Sequence, residues 1–326
     1  MRFALMIEAQ MGLSYEDQLA IVQRAEAAGF ESFFRSDHYA AFPGASDRQT
    51  TDAWAVIAGL ARETKRITLG ALVSPVTFRH PGNFAKVVTT VDQMSGGRIE
   101  VGVGAGWNDE DHEPLGLAFP EIGERADLLE DQLELLHRLW TQPPGWSYDG
   151  HHIRVRNGAL RAGPVAADGR PRENGRVRPR IITGSGGSPR GYRIAAKYSD
   201  EFNLSSTSPD DAPGKQRLLD EACQAIGRDP KTLTRSAMVG ALVGRDDAEV
   251  DRRADAVLGE FGQDETGGRE WLNQRKGRWV FGTPDQARAM AARFAEAGIE
   301  RLMLQDFLPR DLDHIDLLAE ALIGKV

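Results

Sequence analysis

A chain of 326 residues, 41% hydrophobic and 27% charged, is long enough for one large α/β domain and has the composition of an ordinary globular protein. A formal net charge of −8 argues against a nucleic-acid surface, no apolar run is long enough to span a bilayer, and the lone Cys223 excludes an intrachain disulfide. Glu8 interrupts the first apolar run before it reaches the length of a secretory signal, so the expected location is the cytoplasm.

Taken in chain order, strand-sized apolar segments alternate with helical periodicities. A strand is expected over residues 2–7, then a helix over 15–28 closed by Gly29, a natural C-cap. Strands over 32–36, 67–73 and 99–103 precede helices over 52–63, 83–94 and 124–139. An insertion over 140–179 opens with Pro143-Pro144-Gly145 and a small hairpin at 146–155. Strands at 180–183, 201–204 and 236–243 then alternate with helices at 190–197, 215–226 and 247–260. After an irregular loop over 262–282 come a helix over 284–297, a last strand over 301–305 and a last helix over 312–322. Eight strands, each followed by helical sequence, imply a parallel sheet, and eight such units fit a closed (β/α)8 TIM barrel, which needs about 250 residues. The expected fold class is therefore α/β, one domain over 1–326 with its insertion after the fourth helix.

In such barrels function sits on the loops that follow the strands' C-terminal ends. The turn Gly184-Ser185-Gly186-Gly187-Ser188 precedes a helix, so its N–H groups can converge on an anion, and Arg190 lies close enough in sequence to add charge. Pro189 breaks any Gly-x-Gly-x-x-Gly pattern, and no Gly-Lys-Ser/Thr follows. Gly102, Gly104 and Gly106 would let a flat ring approach the barrel mouth, with Trp107 to stack on it or wall it off. Asp37-His38 sets a carboxylate beside an imidazole able to exchange a proton near neutral pH, although such a pair can also be a simple cap or ion pair. The seven histidines form neither His-x-His nor His-Glu-x-x-His, and Asp111-His112-Glu113 reads as a solvated turn, so no metal centre is expected. No Gly-x-Ser-x-Gly elbow is present for a serine hydrolase. Residues 154–180 carry a formal +6, from eight arginines against Asp168 and Glu173, either as a solvated loop or as a rim that meets an anionic ligand tail.

Ser36-Asp37-His38, the segment 70–81, Ser95-Gly96-Gly97-Arg98, the segment 102–108, the turn at 184–188 and Phe281-Gly282-Thr283-Pro284 together resemble the luciferase-like monooxygenase superfamily, and within it the branch that depends on the deazaflavin coenzyme F420. That resemblance implies a flavin-type ring at the mouth, lined by Gly104, Gly106, Trp107 and Asn108. It further implies a cofactor phosphate on Gly184, Ser185, Gly186, Gly187 and Ser188, the catalytic pair Asp37 and His38 at the reacting face, and a non-proline cis peptide at Leu72-Val73 behind the ring. The alcohol and sugar-phosphate dehydrogenases of that branch carry a glutamate where this chain has Trp107. Asp109 and Glu110 lie nearby, shifted in register.

The resulting expectation is an oxidoreductase moving a hydride between coenzyme F420 and a small organic substrate. An FMN-dependent monooxygenase is the alternative, and a cofactor-binding protein without turnover a third. Phe42, Trp54, Phe78 and Trp107 suggest an apolar pocket. A homodimer is expected from the resemblance, with no nucleic-acid or membrane partner.

Overall fold

The computed structural model describes residues 1–161, 163–164, 178–185, 187–262 and 268–326. The chain opens with β1 (Arg2–Ile7), α1 (Tyr15–Ala28), β2 (Ser32–Arg35), α2 (Ala53–Glu63), β3 (Thr68–Pro75), α3 (Pro81–Ser95), β4 (Ile99–Gly104) and α4 (Ile122–Thr141). A hairpin of β5 (Trp146–Asp149) and β6 (Arg154–Gly158) follows, and then β7 (Arg180–Ser185), α5 (Pro189–Tyr198), β8 (Glu201–Ser205), α6 (Ala212–Ala225) and β9 (Thr234–Val243). The last elements are α7 (Asp247–Glu260), α8 (Gly268–Lys276), β10 (Val280–Gly282), α9 (Pro284–Glu296), β11 (Arg301–Asp306) and α10 (Leu312–Leu322).

Eight parallel strands close in the order β1-β2-β3-β4-β7-β8-β9-β11, with β11 pairing back onto β1. The chain is thus a (β/α)8 barrel, as its alternating segments imply. Period-two alternation splits each strand between two cores. Ala4, Met6, Phe34, Leu72, Ile182 and Met303 fill the barrel, while Phe3, Leu5, Ile7, Phe33, Val101 and Ile181 face the helices. Caps set the helix ends where the sequence signals them. Ser14 and Asp17 form a reciprocal capping box at α1, and Gly29 ends it in the left-handed region at φ 97°.

The stretch 262–282, expected to be irregular, contains α8 and β10. β10 is only three residues long and pairs with the end of β9 beyond its contact with β8, so it adds to an edge that the eight-strand count does not need. Among the described residues, no helix is long and apolar enough to cross a membrane.

The strands' N-terminal end is closed by charge. Arg301, fully buried, reaches Glu100 at 2.9 Å and Glu201 at 3.2 Å, and Arg180 meets Glu201 at 2.8 Å. Burial pushes the Glu201 carboxyl upward, yet Arg301 and Arg180 outweigh it and hold it below the ordinary carboxylate range. A carboxyl held low contributes its stability fully above its unfolded value, about 4.3 for Glu, and loses it as pH falls through the folded value. Glu201→Gln should therefore cost about 3 kcal/mol in urea denaturation at neutral pH, because Arg301 loses a partner. The gap to the parent protein should narrow as pH falls below about 4.3; a gap independent of pH would mean that the pair is not charged.

Candidate active site

The opposite end of the barrel is open. A cavity of about 650 Å3 lies there, within the range of small-molecule sites, and residues from Glu8 to Phe307 line it. Its shape begins with a bulge. β3 inserts one residue against β4 between Ala71 and Ser74, at a cis peptide joining Leu72 and Val73. The neighbouring strand accommodates this only through its glycines. A Cβ on Gly102 would run into the Ala71 carbonyl oxygen, and one on Gly104 would lie 2.6 Å from Val73 Cγ2. These two glycines make room for the bulge. Gly106 is left-handed at φ 82°, which turns the chain toward Trp107.

Beyond the bulge, Ser74 accepts a hydrogen bond from Trp54 Nε1 and donates one to Asp37 Oδ2 at 2.7 Å. Arg79 donates to both Asp37 oxygens, at 2.7 and 3.3 Å, and also pairs with Asp52. Asp37 borders the cavity but is fully buried, and its carboxylate is consumed by this network. It orders the loop after β2. It is not the partner of His38.

That partner is Asp111, in the segment expected to be a solvated turn. His38 Nδ1 lies 2.6 Å from Asp111 Oδ2, and Asp111 is only 2% exposed. Its other oxygen accepts the amides of Tyr39 at 2.8 Å and Ala40 at 2.7 Å. Burial would raise the Asp111 carboxyl, but the bonds from His38 and these amides prevail and hold it below the usual range. His112 is buried too, held by Thr77 Oγ1 and the Asn108 carbonyl. By contrast Asp109 and Glu110 are exposed and do not border the cavity.

The floor is polar. Gln305 and Gln10 donate to the two oxygens of Glu8, and Ser36 Oγ donates to Gln10. The buried Nδ2 of Asn108, which also borders the cavity, has no hydrogen-bond partner among the described residues. Phe42, Trp107, Phe261 and Phe307 supply aromatic walls. Trp107 is 68% exposed, so it is no packing residue; its ring meets the His38 and Phe42 rings edge-on at 5.6 and 5.4 Å. Trp54 and Phe78 are instead buried, Trp54 on Phe84 and Phe78 stacked on Tyr39.

Gly184 reaches the cavity, Gly187 adopts φ 110°, and Ser188 caps α5 by accepting from the Gly191 amide. Gly186 lies outside the described residues, and Ser185 ends β7. Arg190 does not add its charge to this turn, because Asp127 and Glu130 engage it. The basic stretch is also dispersed. Arg178 pairs with Asp200 and Arg180 with Glu201 at the closed end, and Arg156 pairs with Asp149 within the hairpin. Lys86 and Gln93 of α3 bind the Arg161 and Gly163 carbonyls along the outer wall. Arg170, Arg172 and Arg176 lie outside the described residues.

A profile of the family described as luciferase-like monooxygenase matches residues 1–305. The chain belongs to that family. This luciferase-like enzyme is 30% identical over 228 residues to an uncharacterised protein of Mycobacterium tuberculosis, covering 64% of this chain and 74% of that one. It is 34% identical over 201 residues to an F420-dependent glucose-6-phosphate dehydrogenase of Nakamurella multipartita, covering 60% of this chain and 53% of the relative's length. Its fold superposes with TM-score 0.80 on an F420-dependent secondary alcohol dehydrogenase in complex with an F420-acetone adduct, at 21% identity over 100% of this chain and 98% of that one.

The luciferase-like sequence signals brought Asp37, His38, Leu72, Val73, Gly104, Gly106, Trp107, Asn108 and Gly184 to one cavity. Sequence reasoning missed Asp111, Gln10 and Phe261 as lining residues. Gly104→Ala should cost about 1–3 kcal/mol by pressing on Val73. Gly123→Ala, in the first turn of α4 with nothing within 4 Å of its Cβ, should be neutral or stabilising by at most about 1 kcal/mol. Equal effects in thermal melts would remove the bulge from the account.

Proposed function

We propose that this enzyme is an oxidoreductase exchanging a hydride between coenzyme F420 and a small organic substrate. One arrangement carries the reading: the Leu72-Val73 bulge, the unpartnered Asn108 amide and the His38 imidazole border the same 650 Å3 cavity. A buried donor without a partner costs about 1–3 kcal/mol, which a ring heteroatom accepting from Asn108 Nδ2 would offset. The residues present therefore fit a flavin-type ring. The choice of deazaflavin rests on the named relatives, since the described arginines of 154–180 give no support to a basic rim. The family's description keeps an FMN-dependent monooxygenase as the second reading.

When bound, coenzyme F420 supplies two-electron hydride chemistry. The chain's own residues do the rest. Leu72, Val73, Gly104 and Gly106 would hold the ring, and Asn108 would bond its edge. The turn at 184–188 would hold the phosphate, with backbone N–H groups at the α5 N-terminus in place of arginine. Phe42, Trp107, Phe261 and Phe307 exclude water, and His38 Nε2 takes up or releases the proton that accompanies the hydride.

The cofactor prediction is direct. Absorbance titration of the purified apo protein should give tighter binding of oxidised F420 than of FMN. Equal affinities, or FMN copurifying with the protein, would put the monooxygenase reading first. The anchor prediction uses Ser188→Asp. Aspartate also caps helices well, so the fold should persist, but its charge would repel a phosphate at the same turn. F420 affinity should fall at least about tenfold, some 1.4 kcal/mol. Unchanged affinity would make the turn a connector only.

A further inference from the structure

We infer that Asp111 is the positioning residue that fixes the His38 tautomer and thereby makes Nε2 the proton-exchanging atom of the site. The inference rests on the proposed hydride chemistry for its purpose, but on geometry for its content. Asp111 divides its two oxygens between two tasks. Oδ1 accepts the Tyr39 and Ala40 amides and so anchors the backbone that follows His38. Among the described residues, Oδ2 faces only His38 Nδ1, at 2.6 Å.

An ionised carboxylate can accept but not donate, and the Asp111 carboxyl is held in its charged form. The proton between the two groups therefore belongs to Nδ1, so neutral His38 must be the Nδ1–H tautomer with its lone pair on Nε2. The ring is braced edge-on by Phe42 at 4.6 Å and Trp107 at 5.6 Å, which limits its rotation. When an alcohol is oxidised with the proposed deazaflavin as hydride acceptor, two electrons leave with the C–H hydride while the O–H proton passes to Nε2. Asp111 then faces the imidazolium so formed, and carbonyl reduction runs the same transfer backward. Asp37, adjacent in sequence, cannot serve this purpose because Arg79 and Ser74 occupy it.

Asp111→Asn separates the two tasks. Its carbonyl oxygen can keep the Tyr39 and Ala40 amides, whereas its NH2 group offers Nδ1 a donor and forces His38 into the Nε2–H tautomer. The test uses 15N-labelled apo protein and long-range 1H–15N correlation at a pH where His38 is neutral. The parent protein and Asp111→Glu should show Nδ1–H, and Asp111→Asn should show Nε2–H. Carbethoxylation of His38 by diethylpyrocarbonate, followed by peptide mass spectrometry, reads the lone pair on Nε2 independently. It should slow about tenfold or more in Asp111→Asn and recover in Asp111→Glu. Unchanged Tyr39 and Ala40 amide shifts in Asp111→Asn would support the separation of tasks. A retained Nδ1–H tautomer, or unaltered carbethoxylation, would overturn the inference. Neither readout needs cofactor or substrate, so failure of F420 to bind would defeat the functional reading alone.

Discussion

The open end of this barrel depends on how closely β4 can approach a bulged neighbour. The extra residue in β3 pushes the Ala71 carbonyl and the Val73 side chain toward β4, and only glycine at 102 and 104 leaves space for them. Once the bulge is accommodated, Ser74 points to Asp37 and Trp54, and the chain continues to Arg79, which ties Asp37 to Asp52 at the N-cap of α2. The loop carrying His38 is thereby fixed from below by ion pairs and from the side by Asp111. A clash removed at two backbone positions of β4 thus sets the place of a side chain that follows β2, two strands away.

Charge is treated differently at the two ends. At the closed end Arg301 and Arg180 surround Glu201 in full burial, where desolvation is largest and only direct pairing can offset it. At the open end the carboxylates are paired as well, but with groups that shape the cavity: Glu8 with Gln10 and Gln305, Asp37 with Arg79, Asp111 with His38. For Asp111 the contest between burial and three short hydrogen bonds goes to the bonds, and that outcome decides which imidazole nitrogen carries the proton.

The turn before α5 illustrates how a nearby charge can be spent elsewhere. Arg190 sits in the first turn of that helix, yet two carboxylates of α4 compete for it and hold it against the outer helical layer. An anion at this turn would meet backbone dipoles, equivalent to roughly half a unit charge at a helix N-terminus, and the Ser188 hydroxyl. Such an anion would be recognised by geometry more than by net charge.

Alternation of strand and helix signals in the sequence was enough to determine the eight barrel strands, their parallel order and the Gly29 cap, because periodicity and capping are local properties. Motif spacing likewise brought Asp37, His38, the glycines and Asn108 to one mouth, since every loop that follows a barrel strand opens there. Tertiary structure alone decided the rest. Sequence adjacency suggested an Asp37–His38 pair, whereas the fold gives Asp37 to Arg79 and brings Asp111 across 73 positions to His38. The arginines of 154–180 read as one basic block because they lie close together in the sequence. In space the described ones separate, since carboxylates at 149, 200 and 201 each claim one, and the Arg161 and Gly163 carbonyls meet Lys86 and Gln93 of α3. Pairing between distant charges follows from which backbone segments converge, and no local pattern encodes that.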